Sequence, residues 1–438
     1  MTETAKLPDS GPIAYLGPAL EESALAALKM RGFELDVLNT DSPAQELPAG
    51  ATAFVHGLGL EHPVSAALQR EAVGKNLPVF TDLAFLGAVA QHLPVPDARR
   101  VLITGSAGKS TTAALLARIL AQGGQDCAQV SAESGFLNAM AKRAENLIIR
   151  VRPSAVRYME DFAAGVGVVL NLTEEQGGPV SPKTKESCVR LLTAARLGVL
   201  GADDSGAQAL LMALRRQSAS SAREIIPISG GSTLSDGYFA IDRVVYSVRN
   251  GRTRRIASYA ESAVLLGDHF AQDAAAACAV AGHFGVTDDQ IAEGLAAYRG
   301  LQGRFDCIGT EGRVVFVDDR FARCAASTKA AIDACPEVFW VGHRMGDVSK
   351  KTRAAMRGAF YVTAPDGFGP PVDNVVTFKD AEDATSAALR AAADLIRRQP
   401  GATPVILFSP GADGFDRQGE LFRLKALSYL SDHGRKHG

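Results

Sequence analysis

The sequence predicts an α/β chain of three domains built on parallel sheets. Short apolar runs alternate with helical patterns through its N-terminal part. Strands alternating with helices of that length imply parallel sheets with helical crossovers. An apolar strand then runs into a Gly-rich turn and a Lys-Ser-Thr-Thr run at 101–112, and strand–helix alternation resumes after a Gly-containing hinge at 300–306. The 438 residues are too many for one hydrophobic core.

In the first domain, Ile13–Leu16, Leu35–Leu38, Thr52–His56 and Val79–Thr81 read as strands, with helices at Glu21–Met30 and Pro63–Gly74. The Pro-containing stretch Gln91–Ala98 reads as a joint, giving boundaries of 1–97, 98–299 and 300–438. Further strands are predicted at Leu147–Val151, Gly167–Leu172 and Leu197–Leu200. Phe239–Val248 reads as one strand entering a tight hairpin at Asn250-Gly251. That makes the central sheet mostly parallel with an antiparallel extension. Helices follow at Asp268–Gly285 and Asp288–Tyr298. The third domain offers strands Val314–Val317, Val338–Val341, Val375–Phe378 and Val405–Phe408, each followed by a helix.

The segment Val101–Thr112 carries the most chemistry. Glycines let backbone N–H groups close around phosphate oxygens, and the next helix aims its positive end at the anion. Thr104, Gly105, Ser106, Ala107 and Gly108 would form the cradle. Lys109 would reach the outer phosphates, and Ser110 or Thr111 would offer a hydroxyl to Mg2+. The match falls short of a full Walker A motif, because Ile103 stands where its first glycine belongs.

Composition narrows the partners. Hydrophobic residues make up 47% and charged residues 21%, with a net charge of −2. No basic field invites nucleic acid or an anionic membrane, and no uncharged apolar run is long enough to insert in one. The six cysteines are dispersed without a CxxC pair. Reduced thiols in a cytoplasmic protein are expected, rather than a zinc site or a disulfide framework. Met1–Gly11 is polar and lacks the apolar core of a signal peptide. Cys188 reads as a buried filler, and Asp203-Asp204 as the close of a strand into a turn.

The Thr-Gly-x-x-Gly-Lys-Ser-Thr loop opening the second domain and the Gly-Arg-Phe hinge opening the third resemble the Mur ligase family over essentially the whole chain. Val168–Glu174, Gly267–Asp273, Gly300–Asp306, Val317–Asp319 with Ser327-Thr328, and Leu407–Pro410 each resemble a family segment, in the family's order. The resemblance implies a three-domain Mur ligase-like architecture. Its first and third domains are Rossmann-like and its centre is P-loop ATPase-like. It also implies an ATP-dependent carboxylate–amine ligase of peptidoglycan precursor synthesis, acting on a UDP-sugar peptide or related acid. The branch resembled adds D-glutamate to UDP-N-acetylmuramoyl-L-alanine. ATP would meet Thr104–Thr111, His269, Asp273, Arg304 and Asp319. Lys109 and Arg304 would stabilise the transferred phosphoryl group, and Ser110 and Glu174 would hold Mg2+. For His269 an N-terminal packing role stands beside the ligand role. For Asp319 a helix-capping role does the same.

The departures from the family pattern concentrate at its metal positions. Arg150 stands for a metal-binding glutamate, Gln176 for a histidine and Cys188 for a carbamylated lysine. Ala107, Phe321 and Asp273 replace an asparagine, a lysine and a second asparagine. Ser134–Asn138 replaces a substrate-contacting glycine-rich segment. Mg2+ wants hard anionic oxygens, and an arginine adds charge without a lone pair. Three readings of Arg150 follow. It contacts phosphate in the metal's place, it blocks the metal in a protein that no longer catalyses, or it points to solvent. Two functions follow likewise. One is a ligase with altered or reduced catalysis. The other is a non-catalytic paralogue that binds a nucleotide, a cell-wall precursor or a protein partner.

Overall fold

Three sheets organise the chain in its computed structural model, which describes residues 7, 11–38, 46–57, 63–160, 162–173, 179–217, 224–260, 262, 265, 270–335, 337–345, 349–364 and 376–434. The first sheet contains β1 (Pro12–Leu16), β2 (Glu34–Val37), β3 (Ala53–His56) and β4 (Val79–Thr81), all parallel in the order β2-β1-β3-β4. Helices Glu22–Lys29 and Pro63–Gly74 lie where the apolar spacing puts them.

The second sheet contains β5 (Arg100–Thr104), β6 (Cys127–Ser131), β7 (Asn146–Arg150), β8 (Val166–Val169), β9 (Leu197–Gly201), β10 (Glu224–Ser229), β11 (Gly237–Ile241), β12 (Val244–Arg249) and β13 (Arg252–Ser258). Its order is β13-β12-β11-β10-β9-β8-β5-β7-β6, parallel from β6 to β11 and antiparallel beyond. Strands β5, β8 and β9 are buried along their whole length. Both faces of a parallel sheet are covered, which explains their unbroken apolar runs.

The segment Phe239–Val248 is not one strand. It is the hairpin β11–β12, turning at Asp242 and Arg243, whose φ angles are 50° and 60°. The left-handed region usually calls for Gly or Asn, so Asp-Arg hid the turn. The expected Asn250-Gly251 turn joins β12 to β13, with φ of 53° and 72°. Strand β8 stops at Val169 rather than Leu172, because the chain leaves the sheet to support the Gly-rich loop.

The third sheet contains β14 (Asp306–Glu311), β15 (Val314–Asp318), β16 (Val338–Gly342), β17 (Met356–Val362), β18 (Thr377–Phe378) and β19 (Val405–Phe408), in the order β14-β15-β19-β16-β17-β18. Only β14 is antiparallel to its neighbour. Val375, expected to open the third strand, lies outside the described residues.

The first two sheets share one apolar core. Ile13, Tyr15 and Val55 of the first join Leu102, Leu147 and Ile149 of the second. Arg100 is buried at the same seam. It donates to the carbonyls of Val95 at 2.9 Å and Ala90 at 3.0 Å and lies over the Phe162 ring. The third sheet packs a separate core around Phe316, Phe339, Ile406 and Phe408. Cys188 is fully buried among leucines and valines, as its reading requires. No helix among the described residues is long and apolar enough to cross a membrane.

Asp82 opens the helix Asp82–Ala88 at the end of β4. Its Oδ1 accepts from the Leu83 N–H at 2.8 Å, while its buried Oδ2 has no partner among the described residues. Burial pushes this carboxyl up to about 7.

Candidate functional site

The Gly-rich loop sits at the C-terminal end of β5, between β7 and β8, and leads into the helix Lys109–Gln122. That is where open parallel sheets place their ligands. Gly105 and Gly108 take φ of 149° and 84°. A Cβ on Gly108 would lie 2.2 Å from Asp273 Oδ1, so both conformation and space demand glycine.

Asn171 braces the loop from the segment that follows β8. Its carbonyl accepts from the Ser106 N–H at 3.0 Å, and its Oδ1 accepts from the Ala107 N–H at 2.8 Å. Asn171 lies within the Val168–Glu174 segment, but its residue type alone marks no role at the loop. The buried Asp273 braces the loop from beneath, accepting from the Thr112 hydroxyl at 3.0 Å.

Lys109 curls back on its own loop, donating to the Gly105 carbonyl at 2.6 Å. Burial, then the nearby Arg304 charge, lowers its ammonium to about 8. Ser110 Oγ accepts from Arg150 Nη1 at 2.6 Å and from Arg304 Nη2 at 3.4 Å. Arg150 therefore faces the loop, which rules out the solvent-facing reading. Its Nε is buried and has no partner among the described residues.

Arg304 reaches the loop from the hinge. It donates to the Phe321 carbonyl at 2.6 Å and lies over the Phe321 ring. Phe305, at φ 50°, is pinned by its N–H donating to Asp319 Oδ1 at 3.1 Å. Asp319 Oδ2 accepts from Ser409 at 2.9 Å. Burial pushes Asp319 up to about 7, against the Ser409 hydrogen bond and the Arg304 charge. Asp319 does not cap the following helix, Ala325–Asp333, whose N-cap is Cys324. Asp203 and Asp204 close β9 into a turn, as expected: Asp204 Oδ1 accepts from the Ala207 N–H at 2.9 Å. His269, Glu174 and Gln176 lie outside the described residues.

Two clefts meet at this loop, sharing Ala107, Gly108, Thr111, Arg304 and Ser327. The first, of about 590 Å³, is lined by six cationic side chains: Lys109, Arg150 and Arg152 from the central part, and Arg304, Arg323 and Arg344 from the third. Only Glu133 and Asp413 oppose them in that lining. The second, of about 650 Å³, mixes amide and acid groups (Asn171, Asp203, Gln272) with Phe270 and Phe305. Arg152, Arg323 and Arg344 were invisible as site residues in the sequence. They come together only when the third sheet packs over the second.

Among the described residues the donor set does not fit Mg2+. No group of three His, Cys, Asp or Glu side chains suited to a metal occurs among the described residues. The hydroxyl expected to serve the metal instead faces two guanidinium groups. Mg2+ requires oxygen donors in near-octahedral array.

The chain is similar to curated proteins along most of its length. It is 28% identical over 397 residues to a UDP-N-acetylmuramoylalanine–D-glutamate ligase of Mesorhizobium japonicum, covering 86% of this chain and 83% of that one. It is 26% identical over 437 residues to the protein of that name from Phenylobacterium zucineum, covering 95% and 90%. Among solved structures, the MurF ligase of Thermotoga maritima in complex with ADP superposes with a TM-score of 0.55 at 16% identity, covering 98% of each chain. That likeness shows a shared fold. No protein-family profile matches the chain.

Proposed function

We propose, for a chain that belongs to the Mur ligase family, an ATP-dependent carboxylate–amine ligase of peptidoglycan precursor synthesis with altered phosphate handling. Its acid is UDP-N-acetylmuramoyl-L-alanine and its amine D-glutamate, the pair borne in the names of its sequence relatives. One observation carries the reading. A cleft with six cationic side chains opens beside a second cleft of mixed polarity at one Gly-rich loop. A nucleoside triphosphate has that shape: a polyanionic tail joined to a flat, hydrogen-bonding head.

ATP supplies the phosphoryl group that would convert the acid's carboxylate to an acyl phosphate; the amine would then attack the acyl carbon, forming the amide as inorganic phosphate leaves. The chain's residues hold charge and geometry. Lys109 leaves the Gly105 carbonyl for the outer phosphates. Arg304 crosses from the hinge to the same phosphates, with its plane set by Phe321. Charge placed before reaction needs no reorganisation during it. Asp319 holds the Phe305 backbone so that Arg304 points at the loop. Asn171 and Asp273 keep the cradle's shape.

The test is ADP release by the purified chain with UDP-N-acetylmuramoyl-L-alanine and D-glutamate. Release that needs both substrates and disappears in Lys109→Ala supports the ligase. Protection of the folded chain by ATP without ADP release is the outcome expected of the non-catalytic paralogue.

A further inference from the structure

We propose that Arg150 does the work of a metal ion in this cleft, so that the chain grips polyphosphate through guanidinium groups with no divalent cation. The inference rests on the nucleotide reading above and deepens it.

Position comes first. Arg150 ends β7 beside β5, paired in register with Ile103, two residues before the loop's first glycine. The neighbouring strand thus delivers its guanidinium to the helix start. Nη1 touches Ser110 Oγ at 2.6 Å, and the buried Nε has no partner among the described residues. Buried donors are normally satisfied, so this unmet one, on a side chain that lines the cleft, calls for an acceptor. Arg304 Nη2 donates to the same hydroxyl at 3.4 Å. Ser110 therefore marks a point where two guanidinium groups converge, and a phosphate oxygen there would meet both.

Charge comes second. The lining carries six cationic groups against two carboxylates, and Asp413 is already engaged by Arg323 at 3.2 Å. A divalent cation entering here would be repelled at short range and would find few oxygen ligands among the described residues. A phosphate would find planar forks suited to two parallel hydrogen bonds.

Calorimetric titration of the full chain with ATP, and separately with inorganic pyrophosphate, tests this in EDTA and in excess MgCl2. We expect affinity in EDTA within threefold of that in Mg2+. Arg150→Gln should weaken binding at least tenfold in EDTA, and Arg150→Lys by less. Arg150→Glu should abolish binding in EDTA and regain part of it with Mg2+. Circular dichroism of each variant verifies folding. If Arg150→Gln unfolds, the Lys variant and the wild-type EDTA comparison still decide. Wild-type binding at least tenfold weaker in EDTA overturns the proposal, as does an Arg150→Gln variant that binds like wild type. Pyrophosphate binding without ATP binding overturns the nucleotide reading and leaves the clamp standing. Binding of neither probe in either condition overturns both.

Discussion

Thr112 donates a 3.0 Å hydrogen bond to Asp273 across 161 positions of chain. The pair is buried between the loop's helix and the helix Phe270–His283. Burial pushes the Asp273 carboxyl up to about 8, while the Thr112 hydrogen bond and then the Lys109 charge hold it down. Thr112→Val leaves that carboxyl without its donor. We expect a stability loss of about 1–3 kcal/mol, read from urea unfolding. ATP protection should also weaken, because Asp273 shapes the turn at Gly108.

Gly108→Ala combines two faults. A left-handed φ of 84° costs a Cβ-bearing residue roughly 1–2 kcal/mol, and the new methyl meets Asp273 Oδ1 at 2.2 Å. Phosphate affinity should fall at least tenfold. Shortening the partner in Gly108→Ala/Asp273→Ser should restore part of it. A double variant no better than the single would show that the contact is not the cause.

Lys109 gives the cleft a pH dependence. Its pKa in the free protein, about 8, lies below the ordinary lysine value of 10.5. A phosphate binds the protonated form, so affinity is full below about pH 7. It declines as pH rises through 8, by at most tenfold per pH unit, until the pKa of the complex is reached. Lys109→Arg should flatten the curve between pH 7 and 9. Titrations across that range, in a buffer of fixed ionic strength, read it directly.

Arg304 is the cationic side chain that joins hinge to loop. Removing a preorganised donor from developing charge costs about 10²- to 10³-fold in rate. We expect Arg304→Ala to lose that much in kcat/KM. Arg304→Lys should recover part of it, since charge remains but the fork is gone. Equal activity in all three forms would remove Arg304 from the chemistry.

Asp82 governs the acid side of stability. Its folded pKa of about 7 lies above the unfolded value of 3.8, so between those limits the folded chain holds the extra proton. Stability therefore falls as pH rises from about 4 to 7 and is level beyond, by at most roughly 4 kcal/mol from this group. Asp82→Asn should erase that part of the slope and raise the melting temperature at pH 8, as differential scanning calorimetry would show.

Local physics made much of the fold readable. Pro63–Gly74 and the strand–loop–helix at 100–122 announce themselves by apolar spacing, glycines and one lysine. Where the signal is weak, the reading fails. The Asp242-Arg243 turn carries no glycine, and β14 is an edge strand with no fully buried residue. Lys109 and Ser110 are visible because one short segment builds their surroundings. Arg323 and Arg344 are not, since nothing near them in sequence marks an anion site. Asn171 fell between these cases, in a recognised segment but without a visible task.

The seam between the first two sheets has a mechanical consequence. Their common apolar core and the buried Arg100 tie them together, while the third part reaches the loop through Arg304 and the central core through Phe305. Three of the six cationic groups ride on that third piece. Swinging it away halves the positive field over the loop, so letting go of the anion and opening the protein amount to a single event.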